Sequence, residues 1–98
     1  MEAFAGFDSD DSNRSKCQKH GVPIAEIEAV FQGRFRVAPD TEHSGTEDRF
    51  IAIARTGTGR PLFVAFTIRI KGRQRFVRPI SARYMHPKEI ESYEAQNP

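Results

Sequence analysis

The stretch Leu62 to Ile70, LFVAFTIRI, alternates without a break: Leu62, Val64, Phe66, Ile68 and Ile70 fall on one side, Phe63, Ala65, Thr67 and Arg69 on the other. A period of two residues over that length specifies a strand with one face on a core. Gly72 supplies a turn, and RQRFVRPISAR (Arg73 to Arg83) reads as the antiparallel return strand. Upstream, RFIAIAR (Arg49 to Arg55) is another strand, joined through the glycine-containing connection TGTGRP. Three strands in tight succession exclude a helical bundle. The apolar side of such a sheet has to be covered by helices drawn from the rest of the chain.

Those helices are visible on either side. DDSNRSKCQKHG (Asp10 to Gly21) has capping aspartates at its start and Lys16, Lys19 and His20 in its last turn, with Gly21 as a left-handed stop. VPIAEIEAVFQG (Val22 to Gly33) carries Ile24, Ile27, Val30 and Phe31 on one stripe, Glu26 opposite it, and Pro23 in the first turn. HPKEIESYEAQ (His86 to Gln96) starts a last helix at Pro87. AFAGF (Ala3 to Phe7) and RFRVA (Arg34 to Ala38) are short strands, and PDTEHSGTED (Pro39 to Asp48) is a loop. The expected order is β-α-α-β-β-β-β-α: an α+β fold with a small, mainly antiparallel sheet, two N-terminal helices and one C-terminal helix. The 98 residues suffice for one domain, expected to span residues 1–98.

Charge is segregated along the chain. From Phe50 to Arg83 there are eight Arg and Lys and no Asp or Glu, whereas residues 1–12 hold four acids and no base. Such a stretch suits an anionic partner, nucleic acid or an acidic protein; the alternative is a solvated face whose cations pair with helix carboxylates. The N-terminus is acidic and has no secretory pattern, no apolar run approaches the ~18 residues of a membrane span, and the lone Cys17 forms no intrachain disulfide. A reducing cytoplasm is the expected compartment.

Strand parity sharpens the basic face. A turn at Gly72 places Ile68 beside Val77 and Arg69 near Phe76 or Arg78, so Arg69, Lys71 and Arg78 share the face away from the Ile/Val core. Simple alternation would then turn Arg83 into the core and Ile80 outward. One bulge near Pro79, which has no N–H for the ladder, corrects both and brings Arg83 to Arg69 and Arg78.

Four motifs in this order resemble the BrnT family of type II toxin–antitoxin ribonucleases: FDSDD (Phe7 to Asp11), KHGV (Lys19 to Val22), EDRFIAIART (Glu47 to Thr56) followed by Gly59–Arg60, and RPISAR (Arg78 to Arg83) before a Glu- and Tyr-bearing helix. The chain departs from the family pattern at Ser9, usually Trp, and at Pro79, usually a branched aliphatic residue. The resemblance implies a RelE-like toxin fold, RNA cleavage that stops translation, and neutralisation by a BrnA-type antitoxin that binds DNA and autoregulates.

Cleaving RNA at a 2′-hydroxyl needs a base, an acid and stabilisation of a pentavalent phosphate, without a metal or other cofactor. Arginine forks suit the phosphate: Arg83 first, then Arg69 and Arg78. His20 and Glu47 are the acid–base candidates, Arg49 positions Glu47 or binds phosphate, and Lys19 binds RNA. For each, a plain structural role stays open: helix capping for His20, an ion-pair cluster for Glu47 and Arg49, helix carboxylates for the arginines. Cys17, His20, His43 and His86 lack the paired close spacing of a zinc site. Two other functions stay open: a non-catalytic RNA- or DNA-binding module, and a degenerate toxin whose basic face only receives an acidic antitoxin segment.

Overall fold

The computed structural model describes residues 4–8, 15, 18–40 and 48–96, with side chains as far as residue 92. Along the chain lie β1 (Gly6–Phe7), α1 (Ile24–Gln32), β2 (Arg36–Pro39), β3 (Phe50–Arg55), β4 (Pro61–Lys71), β5 (Gln74–Tyr84) and α2 (Pro87–Gln96). They form an α+β fold around one five-stranded sheet of order β1-β5-β4-β3-β2.

β4 is the centre because it has the longest apolar alternation and a tight turn at each end. Its partners β3 and β5 are antiparallel, and the hairpin closes with Lys71 opposite Gln74 around Gly72, whose φ is +64°. A positive φ at the first of two loop residues, and not at Arg73, is the II′ pattern that matches strand twist. The sheet is mixed rather than all antiparallel: β1 runs parallel to β5, with Gly6 beside Phe76 and Phe7 beside Val77.

Parity decides what each face touches. Leu62, Val64, Phe66, Ala52, Val77 and Ala82 meet Ile27 and Val30 of α1, together with Val22 just before it. Phe31 closes this core with edge-to-face contacts to Phe4, Phe7, Phe35 and Phe66, the last with ring centroids 5.0 Å apart. Burying each large side chain contributes roughly 1.5–3 kcal/mol. The alternate residues Ile51, Ile53 and Phe63 point the other way and pack with Met85 and with Ile90 of α2. The two helices therefore cover opposite faces of the sheet.

Two expectations are corrected in detail. Two helices stand among the described residues, not three; the segment Asp10 to Gly21 lies mostly outside those residues, and its end is a turn in which the Gly21 N–H donates to the Gln18 carbonyl at 3.0 Å. Gly21 has φ +81°, the left-handed value a glycine supplies at such a stop. Pro23 is the residue before the helix, not inside it: its backbone is extended, and its carbonyl accepts from Glu26 and Ile27. The Gln18 side-chain carbonyl accepts the Ile24 N–H at 3.2 Å, satisfying one orphan donor that Pro23 cannot cap.

Candidate nucleic-acid interface and active site

The register of β4 on β5 shifts between Ala65 and Phe66: Ala65 faces Ser81, Phe66 faces Pro79, and Ile80 is left over as the bulged residue. The shift puts Arg83, Ser81 and Arg78 on one side of β5, with Phe63, Ala65, Thr67 and Arg69 on the same side of β4. Arg83 thus shares a face with Arg69 and Arg78, as the parity conflict predicts. Ile80 itself is half-buried and belongs to neither core cluster, so it does not turn fully inward.

The face has a small-residue floor, Ala65, Thr67 and Ser81, between two groups of polar side chains. At one end Thr67 stands opposite Arg78, and Arg69 follows two residues along β4. Arg49 immediately precedes Phe50, the partner of Phe66, so the same register sets it beside Thr67 from the β3 side. Thr67 is 2% exposed, and its hydroxyl is buried without a hydrogen-bond partner. Leaving such a group unpaired costs about 1–3 kcal/mol. Arg78 donates to the Asp8 carbonyl at 3.2 Å, tying the row to the β1 edge. Lys71 pairs with the Asp8 carboxylate at 3.1 Å, and the Arg49 Nε stands 4.0 Å from the Asp40 carboxylate.

At the other end, roughly two strand repeats or ~13 Å from Arg78, Arg83 lies over the Phe63 ring with 4.6 Å to its centroid. Its two terminal nitrogens donate to the two Glu89 oxygens, each at 3.1 Å. Glu89 also accepts the His86 backbone N–H at 3.0 Å, and the His86 Nδ1 accepts the Lys88 N–H at 3.2 Å. That is a capping box with histidine in the serine position, and it fixes where α2 starts. Arg83 first, then the His86 N–H, hold the Glu89 carboxyl below the ordinary carboxylate range. On the far side of the sheet Tyr84 donates to Glu26 at 2.7 Å under the Arg60 guanidinium; that bond, with burial and the Glu26 charge, pushes the phenol up, and Arg60 opposes it.

The structure therefore brings Arg49, Arg69, Arg78 and Arg83 to one face. Lys19 and His20 are exposed on the turn leading into α1, the helix that covers the opposite face. Glu47 lies outside the described residues. Glu89 is the neighbour sequence reasoning missed, although its i, i+3 spacing from His86, the residue that starts the helix, is a legible capping signal. The run from Phe50 to Arg83 is free of acids in sequence, but counter-charges reach it from Asp8 and Glu89. Among the described residues no group of His, Cys, Asp and Glu is placed to hold a metal ion, and no helix is long and apolar enough to cross a membrane.

No curated protein matches the chain. The family model for the ribonuclease toxin BrnT of type II toxin–antitoxin systems matches residues 7–89, from β1 through the arginine face to Glu89. The chain belongs to the BrnT family of ribonuclease toxins.

Proposed function

We propose that RNA is bound and cut across the face that carries Arg49, Arg69, Arg78 and Arg83. The observation that carries this reading is the bulge at Ile80: without it Arg83 would face the α1 core, and with it four arginines share a surface floored by small residues. A phosphate over that floor meets planar forks from both ends, which donate paired hydrogen bonds to the equatorial oxygens as negative charge builds there. The reaction follows the 2′-hydroxyl route and needs no metal. Glu47, two residues before Arg49, and His20 share the base and acid roles, and Lys19 adds a phosphate contact. The position of Glu47 beside Arg49 in the chain supports its half of this assignment.

The fold is of the RelE type in this reading. The partner of a type II toxin is a protein antitoxin; here it is a BrnA-type antitoxin that binds DNA as part of an autoregulatory complex and works in the cytoplasm. In neutralising the toxin it covers the arginine face.

RNA affinity measured against salt tests the binding half. Each phosphate contact removed lowers the log–log slope by roughly 0.7–0.9. Arg78→Ala is expected to weaken binding to all RNA sequences alike and to flatten the slope by about that amount. An unchanged slope would remove Arg78 from the phosphate contacts.

A further inference from the structure

The second cluster of arginines lies on the same side of the sheet as Arg83 but beyond α2. A cleft of about 340 Å³ opens there, with Arg34, Arg36 and Arg55 round it and Ile53 and Ile90 within it; Phe35 also borders it, with its ring turned to Phe31 in the α1 core. Ile53 and Ile90 are buried, and Arg34 and Arg55 are exposed, so the cleft has an apolar floor and a basic rim. Among the described residues no carboxylate lines it. Of the carboxylates near its lining in sequence, Glu89 pairs with Arg83 and Asp40 stands 4.0 Å from the Arg49 Nε. Arg34 and Arg36 have no ion pair among the described residues.

We infer that this cleft anchors an acidic, extended segment of the protein antitoxin. An apolar side chain enters over Ile53 and Ile90, and flanking carboxylates meet Arg34, Arg36 and Arg55 as charge-assisted hydrogen bonds. The floor decides between the two available polyanions. RNA offers phosphates to the rim, but Ile53 and Ile90 give its bases no aromatic ring to stack on, whereas an acidic peptide with an apolar residue satisfies both. The location agrees. Arg36 belongs to β2, the terminal strand of the sheet. An extended chain therefore finds backbone partners next to the cleft. This anchor is additional to any cover over the arginine face, and it rests on the antitoxin that the family implies, not on where RNA is cut.

The test is a titration of the isotope-labelled chain followed by amide shifts, with three probes. They are a synthetic peptide of alternating glutamate and leucine, the same peptide with serine for leucine, and a single-stranded RNA. The leucine peptide is expected to shift Arg34, Arg36, Ile53, Arg55 and Ile90, and the serine peptide to bind much less. Arg34→Glu, at an exposed position that leaves the fold intact, is expected to weaken the leucine peptide about tenfold or more and leave RNA affinity nearly unchanged. Peptide shifts confined to Arg69, Arg78 and Arg83, or peptide affinity unchanged in Arg34→Glu, would overturn the inference. So would RNA shifting the cleft amides more than the peptide does, which would make the cleft a second phosphate contact.

Discussion

Arg83→Ala is expected to slow RNA cleavage at least about a hundredfold, the cost of removing one preorganised donor from a developing oxyanion. The fork of Arg83 is already aimed: it lies on Phe63, and both its terminal nitrogens are paired to Glu89. That pair is exposed on both sides, with side-chain exposures of 43% and 41%, so it is worth little to stability and can be exchanged for phosphate. Arg83→Lys keeps the charge without the paired geometry and should recover only part of the rate. Arg83 also steadies the start of α2, so a structural role has to be separated from a chemical one. Glu89→Gln breaks the same ion pair and leaves Arg83 in place. Single-turnover cleavage by the two variants should differ widely, Glu89→Gln staying near wild type. Equal losses in both would make Arg83 a support for α2 and nothing more.

Phe66→Ala is expected to destabilise the protein by about 3–5 kcal/mol, a large share of the roughly 5–15 kcal/mol that holds a domain of this size. Phe66 is 1% exposed at the centre of β4. Its ring touches Phe4, Phe31 and Phe50, and its backbone faces Pro79 at the bulge. Removing it opens a cavity where the α1 core, the β1 edge and the bulge meet. Ile70→Ala, on the same strand and the same parity but 71% exposed, should change stability by no more than about 0.5 kcal/mol. Urea unfolding of the two variants checks both values. A loss below about 1 kcal/mol for Phe66→Ala would mean that the aromatic cluster is not the centre of the fold.

That contrast shows what alternation alone conveys. The pattern from Leu62 to Ile70 gives strand, parity and register, and the pairs Ile68–Val77 and Arg69–Phe76 follow from it and Gly72. It does not reveal that Ile70 has run past the core into solvent. The bulge was legible because regular alternation sends an arginine inward and an isoleucine outward, and Pro79 marks where the ladder tolerates a break. The partly buried Ile80 was not, because a bulged residue belongs to neither parity. The place of α2 was hidden for a different reason: Ile90, its one buried anchor among the described residues, gives no periodic stripe to match to a sheet face. Counter-charges were invisible because they come from far along the chain, as when Asp8 meets Lys71. Glu26 lies opposite the apolar stripe of α1, yet it takes the Tyr84 hydroxyl. Sequence could name the arginines of the candidate site, but not what holds each of them when RNA is absent.

Photocrosslinking a non-cleavable RNA substituted with 4-thiouridine tests the central claim most directly, because it reports the bound face without depending on any single side chain. The bulged register places Phe63, Phe76, Ser81 and Arg83 on the arginine face and α1 on the opposite one. Crosslinks are predicted at Phe76 and Ser81 and in the segment running to Arg83, and they should disappear when Arg69→Ala and Arg78→Ala are combined. Crosslinks concentrated on Ala25, Glu28, Ala29 and Gln32 of α1 would place the RNA on the other face and contradict the account.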